Sequence, residues 1–285
     1  MTKVMRMLKR ILCLMSLVLL LCGAAWAEDE EISLEDTAGI LIEEVTYDDV
    51  VWTFPVDLFD MEPEYIVLAN KQVLLDEKFV PGDLVTMKTR KENKAGENTN
   101  GGVLKASSSE MQLAKVCAEA LVAMSEAAME DGYKLYLKSA YRSYRTQKTM
   151  YYNRLERNNG KDDGWVAIPG SSDHQTGLGC DVVPRSWRDK SMNEKMGLEP
   201  ECRWMAENCH RFGFILRYPE DKQDVTEINY EPWHMRYVGI PAATYIMENG
   251  LTLEEFHEEL KWCIDLFLEE GGNPALVRDF LPLFE

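Results

Sequence analysis

The clearest pattern of apolar and polar positions along the chain lies between residues 111 and 131. Apolar side chains recur there at steps of three and four residues, which predicts an amphipathic helix. Ser107 and Glu110 stand just before this segment with the spacing of a capping box, and Gly132 follows its end. Residues 134–139 then alternate between polar and apolar, which predicts a strand.

Helical and strand patterns continue along the chain without the regular strand–helix–strand alternation that is typical of a parallel sheet. This order favours an α+β domain built on a small, mainly antiparallel sheet flanked by helices. Further helices are predicted at 144–157, within 193–212 and at 253–268, and further strands at 65–68, at the end of 177–183, at 214–218 and at 234–238.

The first 27 residues predict a cleaved signal peptide. Four basic side chains precede an apolar run at 11–22, and Ala25-Trp26-Ala27 offers small residues where a signal peptidase reads them. An uncleaved membrane anchor is the alternative, although a full span needs about 20 apolar residues. A lipoprotein is a weaker alternative, because Leu21 before Cys22 is not small. We therefore expect an exported protein, extracellular, in the cell wall or anchored on the outer face of the membrane.

Composition divides the rest of the chain into three parts. Residues 28–63 are acidic and irregular and predict a spacer, residues 64–240 hold the main domain, and residues 241–285 predict a C-terminal helical extension. The net charge is −18, and loss of the four basic residues of the signal lowers it to −22. Such a surface repels nucleic acid and anionic lipid, so no nucleic-acid partner is expected, and membrane contact only through an uncleaved N-terminal segment.

Five of the seven cysteines follow the signal, an odd number without tight spacing. We therefore expect buried, reduced thiols rather than a disulfide framework or a cysteine zinc site. These residues are Cys117, Cys180, Cys202, Cys209 and Cys263.

Two of the four histidines stand in segments whose residue types fit a hydrolytic metal site. Such a zinc ion takes three nitrogen or oxygen ligands and leaves one position for water. His174, Asp181 and His234 supply two imidazoles and a carboxylate, and Gly177 and Gly179 let the chain between the first two bend back. Each segment alone is weak support for a metal, because a lone histidine is usually an ordinary surface or core residue.

Glu231 lies three residues before His234 and is the candidate base for a water molecule at such a site. Pro232 stands between them and excludes a helical Glu-x-x-His arrangement. Cys180 precedes Asp181 and is an alternative ligand. If the two residues point to opposite faces of a strand, only one of them reaches the metal.

The joint pattern Ser172-x-His174-x-x-Gly177-x-x-x-Asp181 with Glu231-x-x-His234 resembles the VanY-type D-alanyl-D-alanine carboxypeptidases and their D,D-dipeptidase and LD-carboxypeptidase relatives. The similarity runs from about residue 64 to 240. It also takes in Ser139-Ala140-Tyr141-Arg142-Ser143-Tyr144, Arg217-Tyr218-Pro219, Asn70-Lys71 and Val80-Pro81-x-Asp83-Leu84.

The resemblance implies a Hedgehog/DD-peptidase-like fold with zinc at the sheet, bound by His174, Asp181 and His234, so that Cys180 packs into the core. It implies that Glu231 moves the proton of the attacking water and that Arg142 stabilises the oxyanion or clamps the substrate. The weaker substrate-binding candidates are Ser172, Gln147, Tyr141 and Trp233.

The implied activity is removal of the terminal D-alanine from peptidoglycan stem peptides. A D,D-dipeptidase, an LD-carboxypeptidase or a peptidoglycan endopeptidase with the same site remains an alternative. A non-catalytic wall-binding homologue is the alternative outside enzymes, but the presence of both Glu231 and Arg142 favours activity.

Overall fold

The computed structural model describes residues 44–47, 50–87, 103–108 and 110–285. The predicted signal peptide and half of the predicted spacer therefore lie outside the described residues. Strands occupy β1 (Glu44–Tyr47), β2 (Val50–Thr53), β3 (Leu84–Thr86), β4 (Lys105–Ala106), β5 (Gln112–Ala114), β6 (Leu135–Ser139), β7 (Gly179–Pro184), β8 (Phe214–Leu216) and β9 (His234–Tyr237). Among these residues, no helix has the length and apolar character that crossing a membrane requires.

Seven α-helices and several 3-10 turns accompany the strands in the described part of the chain. The helices are α1 (Lys115–Glu130), α2 (Tyr144–Arg157), α3 (Pro200–Asn208), α4 (Gln223–Thr226), α5 (Ile240–Glu248), α6 (Leu253–Glu269) and α7 (Pro274–Val277). The 3-10 helices are Leu58–Asp60, Pro63–Tyr65, Asp173–Thr176, Arg185–Trp187, Glu194–Leu198, Cys209–Phe212 and Leu281–Phe284.

A five-stranded sheet forms the centre of the fold, in the order β4-β6-β7-β9-β8. Only β4 and β6 pair in parallel, and the other neighbours are antiparallel. Two further antiparallel pairs, β1 with β2 and β3 with β5, lie outside this sheet. The predicted α+β class with a mainly antiparallel sheet is confirmed.

The two faces of β7 have different environments because successive side chains of a strand point to opposite sides. Cys180 and Val182 are fully buried in a hydrophobic cluster with Met235 and Leu137. Asp181 lies between the two core residues and turns away from this cluster toward the histidines. The expectation that Cys180 packs into the core is confirmed.

The predicted helix at 111–131 begins later than expected, at Lys115. The preceding residues of β5 pair with β3 instead, which satisfies their backbone groups in a ladder rather than a helical turn. Ala114 is the N-cap and makes no side-chain cap, so the predicted capping box of Ser107 and Glu110 is wrong. The helix ends at Glu130, close to Gly132 as predicted.

Two other expected elements differ in the structure. Residues 65–68 do not form a strand, because the carbonyl oxygens of Tyr65 and Val67 accept hydrogen bonds from the Arg236 guanidinium. The helix predicted within 193–212 is present as α3, which begins only at Pro200 because proline is tolerated in the first turn of a helix, and 3-10 helices precede and follow it. All five cysteines in the described part of the chain are free thiols, and all except Cys263 are buried.

A second hydrophobic cluster unites the C-terminal helices with residues from the predicted spacer. Residues 54–61, which lie within the predicted spacer, contribute four buried side chains to it. Helix α6 begins with a capping box between Thr252 and Glu255. The cluster includes Phe54, Val56, Leu58, Met61, Ile246, Phe256, Leu260, Ile264 and Phe267.

Candidate metal and peptidase site

A short 3-10 turn places His174 beside β7. The turn ends at Gly177, whose backbone is left-handed with φ +72°, and an added Cβ there would lie 3.0 Å from Leu84 Cδ2. Glycine adopts this conformation without strain, so the chain reverses as the spacing predicted. The carbonyl oxygen of Ala140 lies 2.7 Å from Nδ1 of His174, which leaves Nε2 directed toward Asp181.

Strand register brings the second histidine to the same place. Asp181 on β7 is the direct antiparallel partner of His234 on β9, so their side chains share one face of the sheet. Nδ1 of His234 lies 2.9 Å from Oδ1 of Asp181, and Nε2 of His174 lies 3.4 Å from Oδ2 of the same carboxylate. One ligand atom from each of the three residues lies within 4.8 Å of the others.

The protonation states of these groups suit a divalent cation. Burial lowers the pKa of His174 to about 4, and the charge of Arg142 acts in the same direction, so the imidazole is neutral near pH 7. Burial opposes ionisation of Asp181, but the two histidines hold the pKa of this carboxyl well below its ordinary value. A neutral imidazole and an ionised carboxylate are the forms that bind zinc, so the three residues fit such an ion.

Glu231 stands next to this group at the edge of a cavity. Its Oε2 lies 3.9 Å from Nδ1 of His234, and the side chain keeps 12% exposure. Burial and the nearby Asp181 carboxylate raise the pKa of Glu231 well above its ordinary value. A carboxyl group whose pKa is raised toward neutrality can both accept and return a proton.

Arg142 reaches the same cavity from the turn between β6 and α2. Its Nη2 lies 4.0 Å from Oδ2 of Asp181 and donates to Ser139 Oγ at 3.1 Å. Its Nη1 donates to Oε1 of Gln147 at 2.8 Å, and the Gln147 amide donates in turn to Ala167 O. Gln147 is almost completely buried, so it holds the guanidinium in place rather than facing solvent.

The cavity in front of these groups has a volume of about 380 Å³. Of the four residues proposed from the sequence to bind substrate, Ser172, Gln147 and Trp233 line it, and Tyr141 is absent from the described residues that line it. Trp165 stacks against Trp233, with ring centroids 6.4 Å apart and planes at 13°. Sequence reasoning missed several other lining residues, namely Met150, Arg154, Trp165, Met192, Asn193 and Tyr218.

Tyr218 carried a signal that could have identified it, because it belongs to the Arg217-Tyr218-Pro219 segment. Its ring lies 5.0 Å from that of His234. Trp165 had no such signal. It lies in the segment between α2 and the turn of His174, and only packing against Trp233 brings it to the cavity wall.

Two imidazoles and a carboxylate whose ligand atoms lie within 4.8 Å of one another, beside a carboxyl group of raised pKa in a cavity, match the donor set of a zinc hydrolase. A family model described as D-alanyl-D-alanine carboxypeptidase, VanY, matches residues 110–240. YodJ of Bacillus subtilis strain 168, named as a carboxypeptidase, is 39% identical over 203 residues, which are 70% of this chain and 69% of YodJ. The chain belongs to the VanY family of D-alanyl-D-alanine carboxypeptidases.

Two solved structures are similar to this fold. The LdcB LD-carboxypeptidase shares 36% identity with a TM-score of 0.58 and covers 77% of this chain and 94% of its own. A variant of the vancomycin resistance D,D-pentapeptidase VanY from a VanB-type cassette, in complex with Zn(II), shares 30% identity with a TM-score of 0.52. That alignment covers 68% of this chain and 98% of the neighbour. The predicted family, enzyme class and zinc cofactor are confirmed.

Proposed function

We propose that this protein is a zinc D,D-carboxypeptidase that removes the terminal D-alanine from peptide stems of peptidoglycan. The observation that carries the proposal is the convergence of His174, Asp181 and His234 within 4.8 Å, with Glu231 beside them at the cavity. Membership of the D-alanyl-D-alanine carboxypeptidase family supports the substrate class.

His174 would bind the metal through Nε2, because its Nδ1 is held by the Ala140 carbonyl. His234 would bind through Nδ1, the ring nitrogen that faces both Asp181 and Glu231. Asp181 completes the set with a carboxylate oxygen. When bound, zinc supplies a Lewis acid for the scissile carbonyl and acidifies a water molecule.

Glu231 has the position and the protonation behaviour of a general base. It would take the proton of the attacking water and pass it to the amine of the departing D-alanine. Its raised pKa makes the first transfer easier, since a carboxylate with a higher pKa is the stronger base.

Arg142 would stabilise the negative charge that develops on the carbonyl oxygen, or bind the terminal carboxylate of the substrate. Hydrogen bonds to Ser139 and Gln147 fix its guanidinium on two sides, so the group needs little reorientation when charge develops on the substrate. Trp233 and Trp165 form an apolar wall that suits the methyl groups of D-alanine, and Ser172 offers a hydroxyl group at the same cavity.

Cleavage of an L,D bond in a tetrapeptide stem is the second candidate, favoured by the similarity to LdcB across 94% of that chain. The two activities share every catalytic group and differ in the configuration of the residue before the scissile bond. We also propose that the protein acts outside the cytoplasm, where its substrate lies, on the basis of the signal pattern in residues 1–27.

The test is hydrolysis of two purified stem peptides, a pentapeptide ending in D-Ala-D-Ala and a tetrapeptide ending in one D-Ala. Mass spectrometry identifies the products, and the assay is repeated after chelation and after return of zinc. We expect loss of one D-alanine from the pentapeptide, abolished by the chelator and restored by zinc. Cleavage of the tetrapeptide alone would assign the L,D activity, and cleavage of neither would reject both.

A variant pair tests the ligand set independently of the substrate. His174→Ala should lower the zinc content of the purified protein, whereas His210→Ala should leave it unchanged, because His210 lies in the turn Cys209–Phe212 outside the cavity lining. A full zinc complement in His174→Ala would remove His174 from the ligand set.

A further inference from the structure

A series of buried, charged side chains links His234 to helix α6. Asp173 is completely buried. It accepts a hydrogen bond from Arg217 Nε at 2.8 Å and pairs with Arg236 through its other oxygen. Burial opposes its ionisation, but the two guanidinium groups lower the pKa of Asp173 below its ordinary value.

The Asp173 carboxylate faces the ring nitrogen of His234 that points away from the metal ligands. Oδ2 of Asp173 lies 4.0 Å from Nε2 of His234, and this buried nitrogen has no hydrogen-bond partner among the described residues. Histidines that bind a metal through one nitrogen commonly direct the other toward a carboxylate, which fixes the ring and raises its basicity. Asp173 is therefore placed to orient His234, although it adjoins His174 in sequence.

Arg217 transmits this arrangement to the C-terminal extension. Its Nη1 and Nη2 donate to the two carboxylate oxygens of Glu254 at 2.8 and 2.6 Å, while its Nε holds Asp173. Glu254 lies in the first turn of α6, outside residues 110–240 that match the family model. The side-chain amide of Asn70 donates a hydrogen bond to the Glu254 carboxylate at 3.3 Å.

The cluster of Asp173, Glu254, Arg217 and Arg236 holds two negative and two positive side chains, and all four are buried. Burial opposes the ionisation of Glu254, but Arg217 lowers the pKa of this carboxyl below its ordinary value. Removal of the Glu254 charge would leave one uncompensated positive charge buried behind His234. Such a charge repels a divalent cation at the ligands and competes for the Asp173 carboxylate.

We infer that Glu254 is a positioning residue for the metal site, acting through Arg217 and Asp173 on His234. This inference rests on the ligand set of the proposed function. The C-terminal extension would thereby contribute to zinc affinity, although it follows the residues that line the cavity in the sequence and is not one of them.

The test compares Glu254→Gln with Glu255→Gln in the full chain. Glu255 is the next residue of the same helix and pairs with Lys222 at 2.9 Å, so its variant also removes one ion pair but leaves the Arg217 cluster intact. Zinc dissociation constants are measured by competition with a chromogenic chelator, and thermal unfolding is measured on the metal-free proteins.

We expect Glu254→Gln to weaken zinc binding about tenfold, the lower end of the range for partners of metal-binding histidines. Glu255→Gln should bind zinc as the parent does. Glu254→Asp keeps the charge, but its side chain is one methylene shorter and reaches Arg217 less well. It should therefore bind zinc several-fold more weakly than the parent but more tightly than Glu254→Gln does. Equal zinc affinity in Glu254→Gln and Glu255→Gln would overturn the inference, even if Glu254→Gln unfolds at a lower temperature.

Two further results separate the possible failures. If Glu254→Gln gives no folded protein, Glu254→Asp is compared with Glu255→Asp, and a several-fold weaker affinity in the first supports the inference while equal affinities reject it. His234→Ala is measured alongside. Retention of zinc by that variant would reject the proposed ligand set itself, whereas loss of zinc there with no effect at Glu254 rejects only the positioning role.

Discussion

The carboxylate of Glu231 lies 3.9 Å from Nδ1 of His234, and a turn in which the His234 N–H donates to the Glu231 carbonyl at 3.1 Å sets this separation. Pro232 within the turn excludes a helix, so the acid and the imidazole approach through a tight reversal instead. His234 then enters β9, where the ladder fixes it opposite Asp181. The position of the base is thus tied to the position of a metal ligand.

Glu231→Gln should abolish turnover without loss of zinc. The amide keeps the size of the side chain but cannot accept the proton of water, and general-base catalysis is worth roughly 10²–10⁴ in rate. Hydrolysis of the D-Ala-D-Ala pentapeptide and the zinc content of the same preparation check this prediction. A variant that keeps more than about a tenth of the activity would remove Glu231 from the mechanism.

Arg142→Lys should lower kcat by about 10²-fold even though the charge is kept. Lysine cannot contact Gln147, Ser139 and the substrate at the same time, because it lacks the planar fork of donors. Steady-state kinetics on the pentapeptide measure the effect, with Arg145→Lys on the exposed face of α2 as the matched control. Comparable kcat values in the two variants would contradict a catalytic role for Arg142.

The free energy of unfolding of the metal-free protein should fall in acid through the Asp173 and Glu254 carboxylates. Both have a pKa below the ordinary values of 3.8 and 4.5, so the unfolded chain binds protons more readily than the folded one. Their contribution is therefore present above about pH 4.5 and is lost as the pH falls through the lowered values.

Urea unfolding between neutral pH and about pH 3 tests this dependence. Glu254→Gln should lose less free energy than the parent over the acid part of the range, because one of the two linked groups is gone. Parallel curves for the parent and the variant would show that Glu254 does not contribute to the pH dependence.

Phe256→Ala should lower the free energy of unfolding by about 3–5 kcal/mol. The Phe256 side chain of α6 is fully buried in the second hydrophobic cluster, so its truncation leaves a cavity between the C-terminal helices and residues 54–66. Phe59→Ala serves as the control. Because Phe59 is 71% exposed, its truncation should lower the free energy of unfolding by less than about 0.5 kcal/mol. Equal small effects would mean that α6 is not part of the folding unit.

The sequence indicated most of the central sheet and its helices because their patterns are local. The alternation at 134–139 and the three- and four-residue period at 111–131 correspond to β6 and α1 in the structure. The predictions that failed concern segments whose conformation is determined by a partner distant in the sequence. Gln112–Ala114 is a strand because β3 lies beside it, and residues 65–68 are not a strand because Arg236 takes two of their carbonyl oxygens.

The candidate site likewise has features that the sequence predicts and features that only the tertiary structure determines. The types and spacing of His174, Asp181, Glu231 and His234 stand in the sequence, and chemistry alone makes them candidates for a zinc hydrolase. Their approach within a few ångströms depends on the pairing of β7 with β9, which joins positions 53 residues apart. The buried charged cluster that includes Glu254 could not be predicted from the sequence, because no periodicity or motif links Asp173 to α6. Only packing in three dimensions places charges from distant segments together in a region without water, where each requires a partner.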